Sequence, residues 1–189
     1  MVRFSFAGCS DNLRRQIDRG VLSYSSFLLL LPKLREKDIK VGLRLQPLIP
    51  GQEIHAAEML QQLPEGAVDH VSIEFLKVPV SADRKFGTSL LQHFGGSVIS
   101  WYRKNNAELV GNEYVLAPGY RSMHLSVLRE ICASKGITFG YADNDLLLLS
   151  DGQGCCSGAD LHLRTANLFQ GNTLGEKWLG LSEQFRAFG

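Results

Sequence analysis

The sequence predicts an α/β protein built on parallel strands, and three observations predict it. Strand-like patterns over residues 2–7, 41–45 and 68–76 are separated by helix-like stretches rather than by hairpin turns. Those stretches are long enough for the crossovers that parallel neighbours require. The segment KVGLRLQPLIPG, residues 40–51, reads as a buried strand that breaks abruptly into Pro-Leu-Ile-Pro-Gly, with helical patterns on both sides of it. Proteins with this repeat place their ligand chemistry beyond the carboxyl ends of the strands.

Residues 2–7 alternate and carry Val2, Phe4 and Phe6, which suits a strand. Ser10 or Asp11 can cap a short helix over 12–18, closed by Arg19-Gly20. Ser23 or Ser25 starts a longer helix through Lys37, apolar at Phe27, Leu28, Leu31 and Leu34, which Pro32 should bend or restart. The strand over 41–45 precedes a helix over 53–63 and the turn Pro64-Glu65-Gly66. The strand over 68–76 is apolar at Val71, Ile73 and Phe75. After Pro79 the rhythm changes, dividing the chain into residues 1–80 and an extension over 81–189. Short helices are expected over 86–94 and 98–105, an amphipathic helix over 120–135 ended by Gly136, and a strand over 137–142. A last helix over 176–189 has Trp178 and Phe185 as anchors.

A chain of 189 residues can bury a full core in one domain, alone or with an appended segment. Its 44% hydrophobic and 21% charged content is ordinary for a globular protein. A net charge of +1 gives no global field to recruit nucleic acid or an acidic membrane surface. No run approaches the ~20 apolar residues of a membrane span, and MVRFSFAGCS turns polar too soon for a signal peptide. Four cysteines without regular spacing point to a reducing cytoplasm rather than a disulfide scaffold. Met1 leads at once into the strand-like VRFSFAG, as expected either of the later portion of something longer or of a short natural N-terminal strand.

Several stretches bear on chemistry. Pro47 and Pro50 stiffen the turn after the second strand, which serves either to line a pocket with Ile49 or as a rigid connector. Arg44 and Gln46 share one strand face, either toward a ligand or toward solvent. Cys155 and Cys156 stand among Gly152, Gly154 and Gly158, with Cys132 upstream and His162 after them. Such a loop can wrap iron or zinc, although adjacent thiolates diverge and no CxxC is present. Asp143, Asp145 and Asp151 are either metal or substrate carboxylates or turn formers and caps. Tyr120 and Arg121 either meet a substrate or open a helix, and no phosphate loop or Ser/His/Asp signature is present.

The stretch DNLRRQIDRGVLSYSSFLLLLPKLREKDIKVGLRLQPLIPG, followed by a helix and GAVDHVSIEFL, resembles the second half of the radical S-adenosylmethionine core, in its spore photoproduct lyase-like or DNA repair photolyase-like branch. The matching residues are Leu31, Leu34, Asp38 (where glycine is usual), Ile39 and Val41, then Pro47, Ile49, Pro50 and Gly51. The resemblance covers residues 2–78, and YRSMHLSVLREICASKGITFGYAD is similar to the tail of such proteins. It implies a half TIM-type β/α barrel with a C-terminal α+β extension. It implies S-adenosylmethionine as cofactor, held by Ser5, Leu48, Ile49 and Glu74, with Arg44 and Gln46 toward the barrel lumen. Cys155 and Cys156 are the corresponding metal candidates for an iron–sulfur or zinc site.

The departure is the CxxxCxxC loop that carries the 4Fe–4S cluster, whose spacing Cys9, Cys132, Cys155 and Cys156 do not reproduce. The first expectation is therefore part of an enzyme, completed by a cluster-bearing N-terminal half or partner subunit. The second is a non-catalytic interaction or metal-binding protein on the same half-barrel.

Overall fold

The computed structural model describes residues 1–18, 20–151 and 158–162. Its centre is a four-stranded parallel sheet of β1 (Val2–Gly8), β2 (Val41–Leu48), β3 (His70–Phe75) and β7 (Thr138–Tyr141), in the spatial order β1-β2-β3-β7. The expected α/β class with a parallel sheet holds. Residues 152–157 and 163–189, which include Cys155, Cys156 and the expected helix over 176–189, lie outside the described residues.

Register turns the alternation of each strand into rows across the sheet. Phe4, Leu43, Val71 and Phe139 form one row, and Phe6, Leu45, Ile73 and Tyr141 the next. These rows join one core with the inward residues of α2 (Tyr24–Arg35), α3 (Glu53–Gln61) and α6 (Pro118–Ser134), among them Phe27, Leu31, Leu60, Leu125 and Leu128. The opposite face carries Arg3, Gly42, His70 and Thr138 in one row and Ser5, Arg44, Ser72 and Gly140 in the next. Gly158 and α7 (Ala159–His162) lie against the amino end of this polar face. A Cβ on Gly158 would fall 2.4 Å from the His70 ring, and His162 Nε2 lies 2.7 Å from Thr138 Oγ1. Arg3, Ser5 and Arg44 are left exposed.

The helices start and stop for local reasons. Ser23 caps α2 by accepting from Ser26 N–H, and the helix runs through Pro32 with Phe27 and Leu31 buried. It ends with Ile39 N–H on Leu34 O and Asp38 N–H on Arg35 O, leaving Asp38 at φ 51, where glycine is usually preferred. α6 closes the same way on Gly136, at φ 66.

β2 runs farther than its pattern suggested, through Pro47 to Leu48. Proline has no N–H to pair, and the register shifts on both sides between Leu45 and Leu48. Pairing resumes at Gly8–Leu48, and Ile49 N–H donates to Gly8 O at 3.1 Å. A small antiparallel sheet joins β4 (Val78–Pro79), just before the extension, to β6 (Glu113–Val115) and β5 (Glu108–Val110) within it, in that order. Its strands are too short for an alternating pattern to register. Two short helices, α4 (Thr88–His93) and α5 (Val98–Lys104), lie between β4 and the β5–β6 hairpin, as expected, and α1 (Asp11–Ile17) follows β1. No helix among the described residues is long and apolar enough to cross a membrane.

The two sheet edges differ. On β7 the Asp151 carboxylate accepts from Phe139 N–H at 2.8 Å, and Ser150 Oγ accepts from Tyr141 N–H at 2.8 Å. On β1 the Asp18 carboxylate takes Ala7 N–H at 2.8 Å. Val2 N–H faces β2, bonding Lys40 O, so by alternation the backbone groups of Arg3 and Ser5 face outward.

At the amino ends of the strands, the Asp69 carboxylate accepts from Val41 N–H at 2.8 Å, Arg35 at 2.9 Å and Lys40 at 3.1 Å. Burial opposes its ionisation, but these three donors outweigh burial and hold the carboxyl below its ordinary range. Asp69→Ala is expected to cost about 2–3 kcal/mol in urea denaturation at neutral pH, because a sheet amide loses its partner. A depressed carboxyl contributes fully above its unfolded pKa, so this difference persists down to about pH 4 and shrinks as pH falls further, through the folded value.

Candidate functional site

At the carboxyl ends of β2 and β3 the polar sheet face deepens into a crevice of about 290 Å³, lined by Arg44, Gln46, Pro47, Glu74, Phe75 and Lys77. Alternation aims Arg44 and Gln46 to the same side of β2, and Glu74 lies on that side of β3. Arg44 Nε donates to Gln46 Oε1, which fixes the amide orientation and leaves Nε2 as a buried donor without a partner among the described residues. Such a donor costs about 1–3 kcal/mol.

Lys77 closes the crevice. Its Nζ lies 2.6 Å from Glu74 and 2.6 Å from Asp143, and although burial disfavours its charge, the two carboxylates push its pKa up to about 12. A charged chain continues beyond it. The Arg121 side chain, 4% exposed, meets Asp143 at 2.9 Å, Tyr141 Oη at 3.1 Å, Leu116 O at 2.7 Å, and Asp145. Tyr141 Oη donates to Asp143 at 2.8 Å. Burial alone would raise the Asp143 carboxyl, but Lys77, Tyr141 and the Arg121 charge hold it low. Lys77, Arg121, Asp143 and Asp145 also line a second cavity of about 350 Å³ under the hairpin of β5 and β6.

On the other side of Pro47 lies a third cavity of about 400 Å³, with Pro47, Ile49, Leu76 and Phe86 on its walls beside the polar Gln16 and Lys85. The turn between the cavities is held from several directions. His93 Nε2 donates to Pro50 O at 2.8 Å, Gly51 N–H donates to Glu53 Oε1 at 3.0 Å, and Tyr120 Oη donates to the same oxygen at 2.7 Å. Gly51 sits at φ 80, a conformation that a side chain would strain.

The structure therefore brings Arg44, Gln46 and Glu74 together in one crevice. Ser5 is exposed and in register with Arg44 but does not line the crevice. Leu48 is fully buried, with its Cδ1 2.9 Å from where a Cβ on Gly8 would lie, so its side chain serves the core. Ile49 is likewise buried and forms a wall of the third cavity. Lys77 escaped the sequence reading because it follows the strand end with no motif around it. The paired roles of Arg121, Asp143 and Asp145 depend on residues that meet only in space. Asp151 turns out to be a cap for the edge of β7, and it pairs with Arg129 at 2.8 Å.

The fit of an iron–sulfur cluster can be judged on the described cysteines. Cys9 and Cys132 are both buried, and burial pushes each thiol up to about 12. Among the described residues no group of three or more His, Cys, Asp or Glu side chains is placed to hold a metal ion. Cys155 and Cys156 lie outside the described residues.

Two outcomes are expected. Iodoacetamide at about pH 8 leaves Cys9 and Cys132 unmodified in the native protein and modifies both in urea, read by peptide mass mapping. Arg121→Ala destabilises the fold by about 3–5 kcal/mol in chemical denaturation, since two carboxylates and a carbonyl lose a buried cation.

The chain matches no known family model, no curated protein and no solved structure.

Proposed function

We propose that this chain is one side of a β/α barrel of the radical S-adenosylmethionine type, supplying a ligand-binding wall that a cluster-bearing half completes. The sheet order carries the reading. Four parallel strands stand in the order β1-β2-β3-β7, with an apolar face toward the helices, a polar face on the other side and a β1 edge whose Arg3 and Ser5 backbone groups face outward. A β/α barrel wall has this asymmetry, because its outer face packs on helices and its inner face looks into the lumen. The left-handed Asp38, where the resembled family has glycine, agrees with it.

The described residues offer walls for the organic cofactor, and no group of three or more His, Cys, Asp or Glu among them is placed to hold a metal ion. The apolar wall of Pro47, Ile49 and Leu76 suits a flat adenine ring, and the crevice across Pro47 offers groups of both charges to the rest of the lumen. Bound S-adenosylmethionine, with a cluster held by the completing half, would supply hydrogen-atom abstraction chemistry. This chain's own part is to bind and orient: Ile49 and Leu76 flank the ring, while Arg44, Gln46 and Glu74 face the reacting space.

Calorimetry with S-adenosylmethionine tests this, using the chain alone and together with the separately expressed cluster-bearing half of a radical S-adenosylmethionine enzyme. Saturable binding is expected, at least with the second half present. Leu76→Arg, which crowds the half-buried cavity wall, should weaken it about tenfold or more, as loss of an apolar subsite does. Absence of binding in both arrangements ends the proposal.

A further inference from the structure

We propose that the crevice of Arg44, Gln46 and Lys77 is an oxyanion subsite, shaped to take a phosphate or carboxylate group of a ligand at the carboxyl ends of β2 and β3. The inference rests on the crevice itself and stands whether or not the chain is part of a barrel.

Hydrogen-bonding capacity is unevenly spent here. Arg44 is exposed and forms no ion pair among the described residues, and its one side-chain bond, from Nε to Gln46 Oε1, leaves both Nη groups unengaged. That same bond turns the Gln46 amide so that Nε2 is a shielded donor with no acceptor among the described residues. Lys77 has a third N–H beyond those directed at Glu74 and Asp143. Glu74 Oε1 is engaged by Lys77, and Asp143 by Lys77, Arg121 and Tyr141. The Arg44 guanidinium fork beside the Gln46 amide N–H₂ meets two oxygens of a planar or tetrahedral oxyanion. A cationic ligand would face Arg44 and Lys77 and would leave the Gln46 donor unmet.

Inorganic phosphate and acetate, titrated separately, distinguish the two sources of the group. The Gln46 side-chain amide resonances in a ¹⁵N-labelled protein report the site directly, and calorimetry gives the stoichiometry. One-site saturation by at least one anion is expected, with the Gln46 amide among the shifted signals. Arg44→Gln and Gln46→Leu should each weaken it about tenfold, the scale of one charge-assisted hydrogen bond. Gln46→Leu removes an unsatisfied buried donor, so its thermal midpoint should not fall, which separates lost binding from lost folding. The proposal is overturned by the absence of saturation with either anion, by binding that survives Gln46→Leu undiminished, or by saturation with methylamine instead.

Discussion

Everything in this fold depends on the strict two-residue alternation of four parallel strands held in register. Phe4, Leu43, Val71 and Phe139, with Phe6, Leu45, Ile73 and Tyr141, stack as two apolar rows. Burying each such side chain is worth about 1.5–3 kcal/mol, so the helices have one face of the sheet on which to settle. Slipping any strand by one residue would put Arg3, Arg44 or His70 into that core, and the register is therefore strongly specified. The same alternation creates the opposite face. Because Ser5, Arg44, Ser72 and Glu74 sit between the apolar positions, the core obliges them to point together.

Carboxylates fasten the sheet where hydrogen-bond ladders run out. Asp69 takes the first amide of β2 and ties it to Arg35 and Lys40, while Asp151 and Asp18 take amides on the two edges. Capping β7 blocks further pairing there, whereas the β1 edge keeps the outward groups of Arg3 and Ser5.

The turn after β2 stands between two unlike cavities. Pro47 lines both, so the apolar slot of Ile49 and Leu76 and the charged crevice of Arg44 and Lys77 share one rigid partition. Its rigidity comes from long-range partners as much as from its prolines: His93 on Pro50, and Tyr120 on the Glu53 carboxylate that also takes Gly51 N–H. Positioned polar groups beside a fixed apolar wall are what orient a ligand. The chain of Lys77, Asp143, Arg121 and Asp145 holds the far rim in the same way.

The sequence by itself determined the parallel α/β class, the three early strands, the helix and strand around Gly136, and the shared direction of Arg44 and Gln46. Those follow from periodicity and local stop signals, which a linear pattern carries. It also marked the Pro47–Gly51 turn as special, though not that β2 runs into it or that Leu48 turns inward, since both depend on pairing with Gly8. Tertiary structure alone decided that Lys77 bridges Glu74 and Asp143, that Arg121 is buried among carboxylates, that Asp151 caps an edge, and that residues 108–115 form a hairpin. The reason is physical. Alternation is a property of neighbours along the chain, whereas a buried charge is tolerated only where residues remote in sequence bring it a partner.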